Sequence, residues 1–197
     1  MELDELLERM ERWKERNLPP REQIKKPRHE PLKSIPREEL PDSFYAEGKV
    51  SIVSVDDLAE LKGYTVEEVL NHFVTEYNCL LYGSRVEFDH YIPQDKKGEV
   101  HATDHAGFAM SKAILEEYGL PLGSIEYYFS DDRLISVALD DTFKDTIADS
   151  GYVYVIPDRA GFEKTPEYLY IKKGTQVDFM TRIEILKDDI KIVDMTD

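Results

Sequence analysis

Six short segments rich in tyrosine, valine and isoleucine fill the later part of this chain. Turn-forming residues separate several of them, at Asp131-Asp132, at Gly174-Thr175 and at Lys187 with the two aspartates that follow it. The segments are SIEYYF, RLISVALD, YVYVIP, YLYIKK, QVDFM and TRIEIL. Such segments predict strands joined by tight turns. Because helical patterns dominate earlier, we expect an α+β domain: N-terminal helices followed by a mostly antiparallel core, in one sheet or two packed sheets.

Two helix starts precede these strands. Ser54 and Thr65 are each followed, three residues later, by a carboxylate, which is the pattern of a capping box. The pattern predicts helices over 55–62 and 66–77, joined at a glycine, after a strand over 49–54. The second helix is acidic, which argues against its binding DNA.

The stretch 80–118 combines two strand ends with a helix. Apolar residues predict strands over 78–82 and 99–102. Asp104 is a good N-cap for an amphipathic helix that continues to Tyr118, where a glycine and a proline follow. Polar groups therefore gather where two strands end, which is a place where a pocket can form.

The N-terminal part of the chain has a different composition. Residues 1–16 carry leucine, methionine and tryptophan at helical spacing. They predict a helix that either packs against the domain of its own chain or serves as an arm that binds a partner or forms a homo-oligomer. Residues 17–43 form a basic strap with six prolines, which either lies across the acidic body or links to it. We therefore divide the chain into 1–43 and a single α+β domain over 44–197.

The charge and the cysteine content exclude several classes. The net charge of −16 argues against binding to nucleic-acid backbones, although it suits docking on a basic protein partner. Cys79 is the single cysteine, so an intramolecular disulfide is excluded, and its position at the start of an apolar strand predicts a small buried side chain. No apolar run reaches the roughly 20 residues that span a bilayer. We expect a cytoplasmic protein without a membrane association.

A first candidate site is Tyr82-Gly83-Ser84-Arg85, at the end of the strand predicted over 78–82. The glycine would let a ligand approach the backbone closely. The serine hydroxyl and the guanidinium can hold a phosphate or a carboxylate. The same residues could equally form an ordinary turn with a surface arginine.

A second candidate site lies on the next strand. Alternation places His101 and Thr103 on the same side, where they could receive an anion beside a helix start. Alternatively, Thr103 serves the cap and His101 lies partly in the core. His90, His101 and His105 lie close in sequence but lack metal-ligand spacing, so we predict no metal site.

Glu167 is the third candidate, because it stands at the head of a later strand. A carboxylate there could bind a ribose hydroxyl or stabilise a cationic transition state. The alternative is an exposed glutamate with no role in a site.

Within 78–187, the motifs LYGSR, VHATD with the helix behind it, GYVYVIP and EYLYIKKGTQVDFMTRIEI resemble the core of the ADP-ribosyltransferase superfamily. That superfamily includes RNA 2′-phosphotransferases and DNA-directed ADP-ribosyltransferases. More narrowly, the motifs are similar to a set of bacterial and phage proteins of unassigned function. The resemblance implies a split two-sheet α+β fold with NAD bound in the cleft between the sheets.

The resemblance also implies roles for individual residues. Arg85 and Ser84 would clamp the pyrophosphate, Thr103 would position the nicotinamide ribose, and Glu167 would stabilise an oxocarbenium-like state. Glu167 and Arg85 are then the catalytic candidates. The implied cofactor-binding residues are Tyr82, Gly83, Ser84, Arg85, His101 and Thr103.

The chain departs from the superfamily pattern in two places. Tyr82-Gly83 stands where a His-Gly pair is usual, and counting back from Gly174 places the catalytic glutamate position on Tyr168, one residue after Glu167. Three functions stay open at this point. The chain is an NAD-dependent ADP-ribosyltransferase-like transferase, or an inactive interaction or inhibitor protein that acts through its acidic surface or N-terminal arm, or a protein without a ligand.

Overall fold

A computed structural model of the chain describes residues 32–36, 63–115, 123–130, 133–157, 159–165 and 169–195. The predicted helices over 1–16 and 55–62, the predicted strand over 49–54 and the residue Glu167 lie outside these ranges. Pro31–Asp197 cluster as one compact unit.

Helix α1 spans Val66–Tyr77, as its capping box predicts. The Thr65 hydroxyl accepts a hydrogen bond from the Glu68 amide at 3.2 Å, and the Glu68 carboxylate accepts one from the Thr65 amide at 2.9 Å. The same carboxylate accepts from the Lys33 amide at 2.9 Å, and Ile35 is buried in the core. Residues 32–36, which the sequence analysis assigns to the strap, therefore pack against the body of the fold.

Helix α2 spans Ala106–Ile114, and its N-cap is His105, so the prediction of Asp104 as the cap is wrong. His105 Nδ1 accepts from the Phe108 amide at 3.2 Å, while the His105 amide donates to the Thr103 hydroxyl at 3.1 Å. The Asp104 carboxylate instead accepts from the Tyr170 hydroxyl at 2.7 Å. A contact distant in sequence has thus displaced the expected cap.

The helix also ends earlier than predicted. Leu115 is extended, buried and bridged to Ile147, so α2 ends at Ile114, before its predicted end at Tyr118.

Eleven strands lie among the described residues. They are β1 (Leu80–Ser84), β2 (Tyr91–Ile92), β3 (Glu99–Thr103), β4 (Ile125–Ser130), β5 (Arg133–Leu139), β6 (Ser150–Ile156), β7 (Glu163–Lys164), β8 (Leu169–Lys173), β9 (Val177–Asp178), β10 (Thr181–Leu186) and β11 (Ile192–Asp194). All six predicted segments form strands, although QVDFM is reduced to two residues in β9. Strands β2, β7 and β11 were not expected from the sequence. Lys187–Asp189 form a short 3-10 turn that leads into β11.

The strands form one large sheet and two small ones. The large sheet is antiparallel throughout, in the order β10-β6-β1-β3-β8-β7. The second has the order β11-β5-β4, with β11 parallel to β5, and the third is a β2-β9 ribbon. The fold is therefore α+β with a mostly antiparallel core, as predicted.

The large sheet is covered on both faces by separate apolar clusters. One cluster contains Leu81 of β1 with α1, α2 and β5. The other contains Leu80 of β1 with Tyr154 of β6 and the β2-β9 ribbon. Because neighbouring residues of one strand enter different clusters, β1 lies between these two clusters.

Candidate functional site

A cleft opens between the neighbouring strands β1 and β3 because they pair over only a short length. Strands β1 and β3 pair at one position, Leu81 with Thr103, whereas β1 and β6 pair at five positions from Leu80 to Ser84. Beyond Leu81 the strands part and leave a cavity of about 880 Å³. A volume of this size lies in the range of small-molecule sites, about 300–1,000 Å³.

The cavity brings together the first two candidate sites of the sequence analysis. Strand β1 and the residues after it, strand β3, the loop before β3, and helix α2 all contribute to its walls. The lining includes Tyr82, Gly83, Ser84, Arg85, Pro93, Asp95, Lys97, Glu99, His101, Thr103, Phe108 and Lys112. All six residues that the resemblance assigns to cofactor binding therefore line one cavity.

Glu167, the third candidate, lies outside the described residues, and its role stays a prediction. The strand that follows it does reach the cleft. Leu169 pairs with Thr103 and lines the same cavity.

Gly83 has a packing role that the sequence analysis did not foresee. A Cβ atom on Gly83 would lie 2.0 Å from the carbonyl oxygen of Ala109 in α2. Gly151 on β6 meets α2 in the same way, with a Cβ position 1.8 Å from the Ala113 carbonyl oxygen. The two glycines allow the helix backbone to rest directly on the sheet.

The loop after β1 is fixed by a buried tyrosine. The Tyr154 hydroxyl accepts from the Phe88 amide at 2.7 Å and donates to the Val86 carbonyl at 2.9 Å. The Ser84 hydroxyl accepts from the Val86 amide at 3.0 Å, so it closes a local turn. Arg85 is exposed at the edge of the cavity. These contacts set the conformation of the strand end that carries the predicted anion-binding residues.

The β3 wall of the cleft is acidic. His101 Nε2 lies 3.4 Å from an oxygen of Asp95 and 3.3 Å from an oxygen of Glu99. The second Glu99 oxygen lies 3.1 Å from Lys173 Nζ. A hydrogen bond from the Glu99 amide is the main cause that lowers the pKa of Asp95.

This group could hold a metal ion, because its three donor atoms lie within 4.8 Å of one another. Two carboxylates and an imidazole suit a divalent cation, and the same distances also fit direct contacts of His101 Nε2 with the two carboxylates. The other two histidines of the sequence analysis serve elsewhere: His105 caps α2, and His90 is exposed. The prediction that no metal binds stays a prediction.

Helix α2 adds two lining residues that the sequence analysis missed. Phe108 and Lys112 are one turn apart, and Lys112 Nζ lies 5.0 Å from the centre of the Phe108 ring. Burial lowers the pKa of Lys112 to about 8. The four-residue spacing shows that the two share a helix face, but only the position of α2 over Gly83 turns that face toward the cleft.

Cys79 is buried, as predicted, and does not contribute to the cavity lining. Burial raises the pKa of its thiol to about 11. A thiol with such a pKa is protonated at neutral pH and is therefore a poor nucleophile.

No family model, no curated protein and no solved structure matches this chain. Among the described residues, no helix has the length and apolar character needed to cross a membrane.

Proposed function

We propose that this protein binds a nucleotide in the cleft between β1 and β3, with NAD as the ligand that the ADP-ribosyltransferase resemblance suggests. The observation that carries the proposal is the convergence of Tyr82, Arg85, His101 and Thr103 on one cavity of about 880 Å³. These residues come from two strands that are separated by a polar excursion in the sequence.

The lining suits the parts of a nucleotide. Phe108 offers aromatic surface on which a base can stack, and Tyr82 lines the same cavity while its ring packs on Phe88 and Tyr154. Arg85 and Lys97 are exposed cations that can bind phosphate oxygens. His101, half-exposed on the opposite wall, can form a hydrogen bond with a ribose hydroxyl or an amide.

Transfer of ADP-ribose would require a further group that stabilises positive charge on the ribose. Glu167 is our candidate for that group, because a carboxylate can stabilise an oxocarbenium-like state. Turnover is therefore a second and separable part of the proposal, and binding can hold without it.

Isothermal titration calorimetry with NAD tests the binding step. We expect saturable heat with the wild type and at least a fivefold weaker affinity for Arg85→Gln. Lys187→Gln is the matched control, since it removes one positive charge from an exposed residue that does not line the cleft. Absence of binding by NAD, ADP and AMP at millimolar concentration would refute the proposal. It would leave the interaction or inhibitor function as the better hypothesis.

Release of nicotinamide, measured by chromatography, tests the transfer step. Glu167→Gln should abolish the release while NAD affinity changes less than twofold. Release that continues unchanged in this variant would show that Glu167 has no catalytic role.

A further inference from the structure

Lys112 lies deeper in the cleft than the two exposed cations Arg85 and Lys97. Its side chain leaves α2 directly above Gly83, whose Cβ position would lie 2.9 Å from Lys112 Cβ. The ammonium group then lies near Phe108, and Lys112 is half-buried, whereas Arg85 and Lys97 are exposed. The base of the Lys112 side chain therefore lies against β1, and its ammonium group lies over the Phe108 ring.

A half-buried ammonium group gains more from an anionic ligand than an exposed one does. Burial has removed part of the hydration of Lys112, as the lowered pKa of about 8 indicates. A phosphate oxygen would replace that hydration in surroundings of lower dielectric constant, where charge–charge attraction is stronger. Arg85 and Lys97 are exposed to solvent, where salt screens their charges.

The carboxylates that line the cleft lie on one wall, which also carries Lys97. The carboxylates of Asp95 and Glu99 belong to the loop before β3 and to β3 itself, where they contact His101. Arg85 follows β1, and Lys112 rises from the helix that rests on β1. Asp95 and Glu99 repel an anionic ligand group, whereas Arg85 and Lys112 on the opposite wall attract it.

We infer that Lys112 binds a phosphate group of the ligand and makes the cleft select nucleotides over nucleosides. The inference rests on the proposed function, because it assigns a role within the same cavity. It adds a specificity-determining residue on α2 to the residues on β1 and β3.

Calorimetric titration with ADP and with adenosine tests this role. In the wild type, we expect ADP to bind at least tenfold more tightly than adenosine. Lys112→Met keeps an unbranched apolar stem against Phe108 and removes the charge. It should weaken ADP binding at least tenfold and adenosine binding less than twofold. Lys96→Met, at an exposed position that does not line the cavity, should change neither affinity.

The outcomes separate the inference from the proposed function. Equal affinities of ADP and adenosine for the wild type would overturn the role of Lys112 and leave the cleft as a site for the nucleoside. ADP binding that survives unchanged in both Lys112→Met and Lys112→Gln would overturn it as well. Failure of both ligands to bind the wild type would overturn the proposed function together with the inference. Thermal unfolding of each variant confirms that the folded protein is being titrated.

Discussion

Gly151→Ala should be strongly destabilising, because this residue lies beneath the backbone of α2. The added Cβ would lie 1.8 Å from the Ala113 carbonyl oxygen and 2.6 Å from its carbonyl carbon. Contacts between carbon and oxygen are ordinarily about 3.3 Å or longer, so the helix would have to move by about 1.5 Å. The helix has little room for that movement, since it packs against β1 and β6 and also against β5.

Overpacking of a closely packed core costs about 1–3 kcal/mol and sometimes more. We expect about 3 kcal/mol or more for Gly151→Ala, because the clash is with backbone atoms and no rotamer change relieves it. In a chain of this size, that loss lowers the melting temperature by about 6–12 °C.

Urea unfolding followed by circular dichroism measures the change. Gly174→Ala is the matched control, since its φ is +76° but nothing lies within 4 Å of the added Cβ. It should cost about 1 kcal/mol, from the left-handed backbone conformation alone. If Gly151→Ala were as mild as Gly174→Ala, the close contact between sheet and helix would be refuted.

Three further variants test other parts of the fold. Lys112→Met should stabilise the free protein at pH 7 by up to about 3 kcal/mol, the free energy that corresponds to lowering the pKa from 10.5 to about 8. Between these two pKa values the unfolded wild-type chain binds more protons than the folded one, so the wild type becomes more stable as the pH rises. The stability gain of Lys112→Met should therefore fall to about 1 kcal/mol near pH 9.5, measured by urea unfolding. A stability gain that does not depend on pH would contradict this explanation. Tyr154→Phe should lower the free energy of unfolding by about 1–3 kcal/mol and weaken NAD binding, because two backbone groups after β1 lose their hydrogen-bond partner. The control is Tyr152→Phe, which removes an exposed hydroxyl and should lower the free energy of unfolding by less than about 0.5 kcal/mol. Thr65→Ala should cost about 1 kcal/mol through loss of the α1 cap, with Thr65→Ser restoring most of it and NAD affinity unchanged in calorimetry.

Local signals in the sequence were reliable where a few neighbouring residues decide the outcome. The capping box at Thr65 placed the start of α1 correctly, and alternation in β3 put His101 and Thr103 on one side. Asp104 shows where this reasoning ends. It has the chemistry of an N-cap, but its carboxylate contacts Tyr170 on β8, and His105 takes the cap.

Gly83 shows the same limit for function. From the sequence, it could admit a ligand or complete a turn, and the structure adds a third use, the close approach of α2. Lys112 had no recognisable motif at all. It lines the cleft only because α2 rests on β1, and that position depends on two glycines from strands far apart in the chain.

The sequence by itself determined the α+β class, the start of α1, the approximate positions of β1, β3 and the six later predicted strands, and the burial of Cys79, because each depends on local periodicity, capping or apolar composition. Only the tertiary structure decided that β1 and β3 separate after Leu81, and that separation creates the cavity. Strand pairing depends on contacts between residues that are distant in sequence. The position at which the pairing stops therefore cannot be read from the residues of either strand alone.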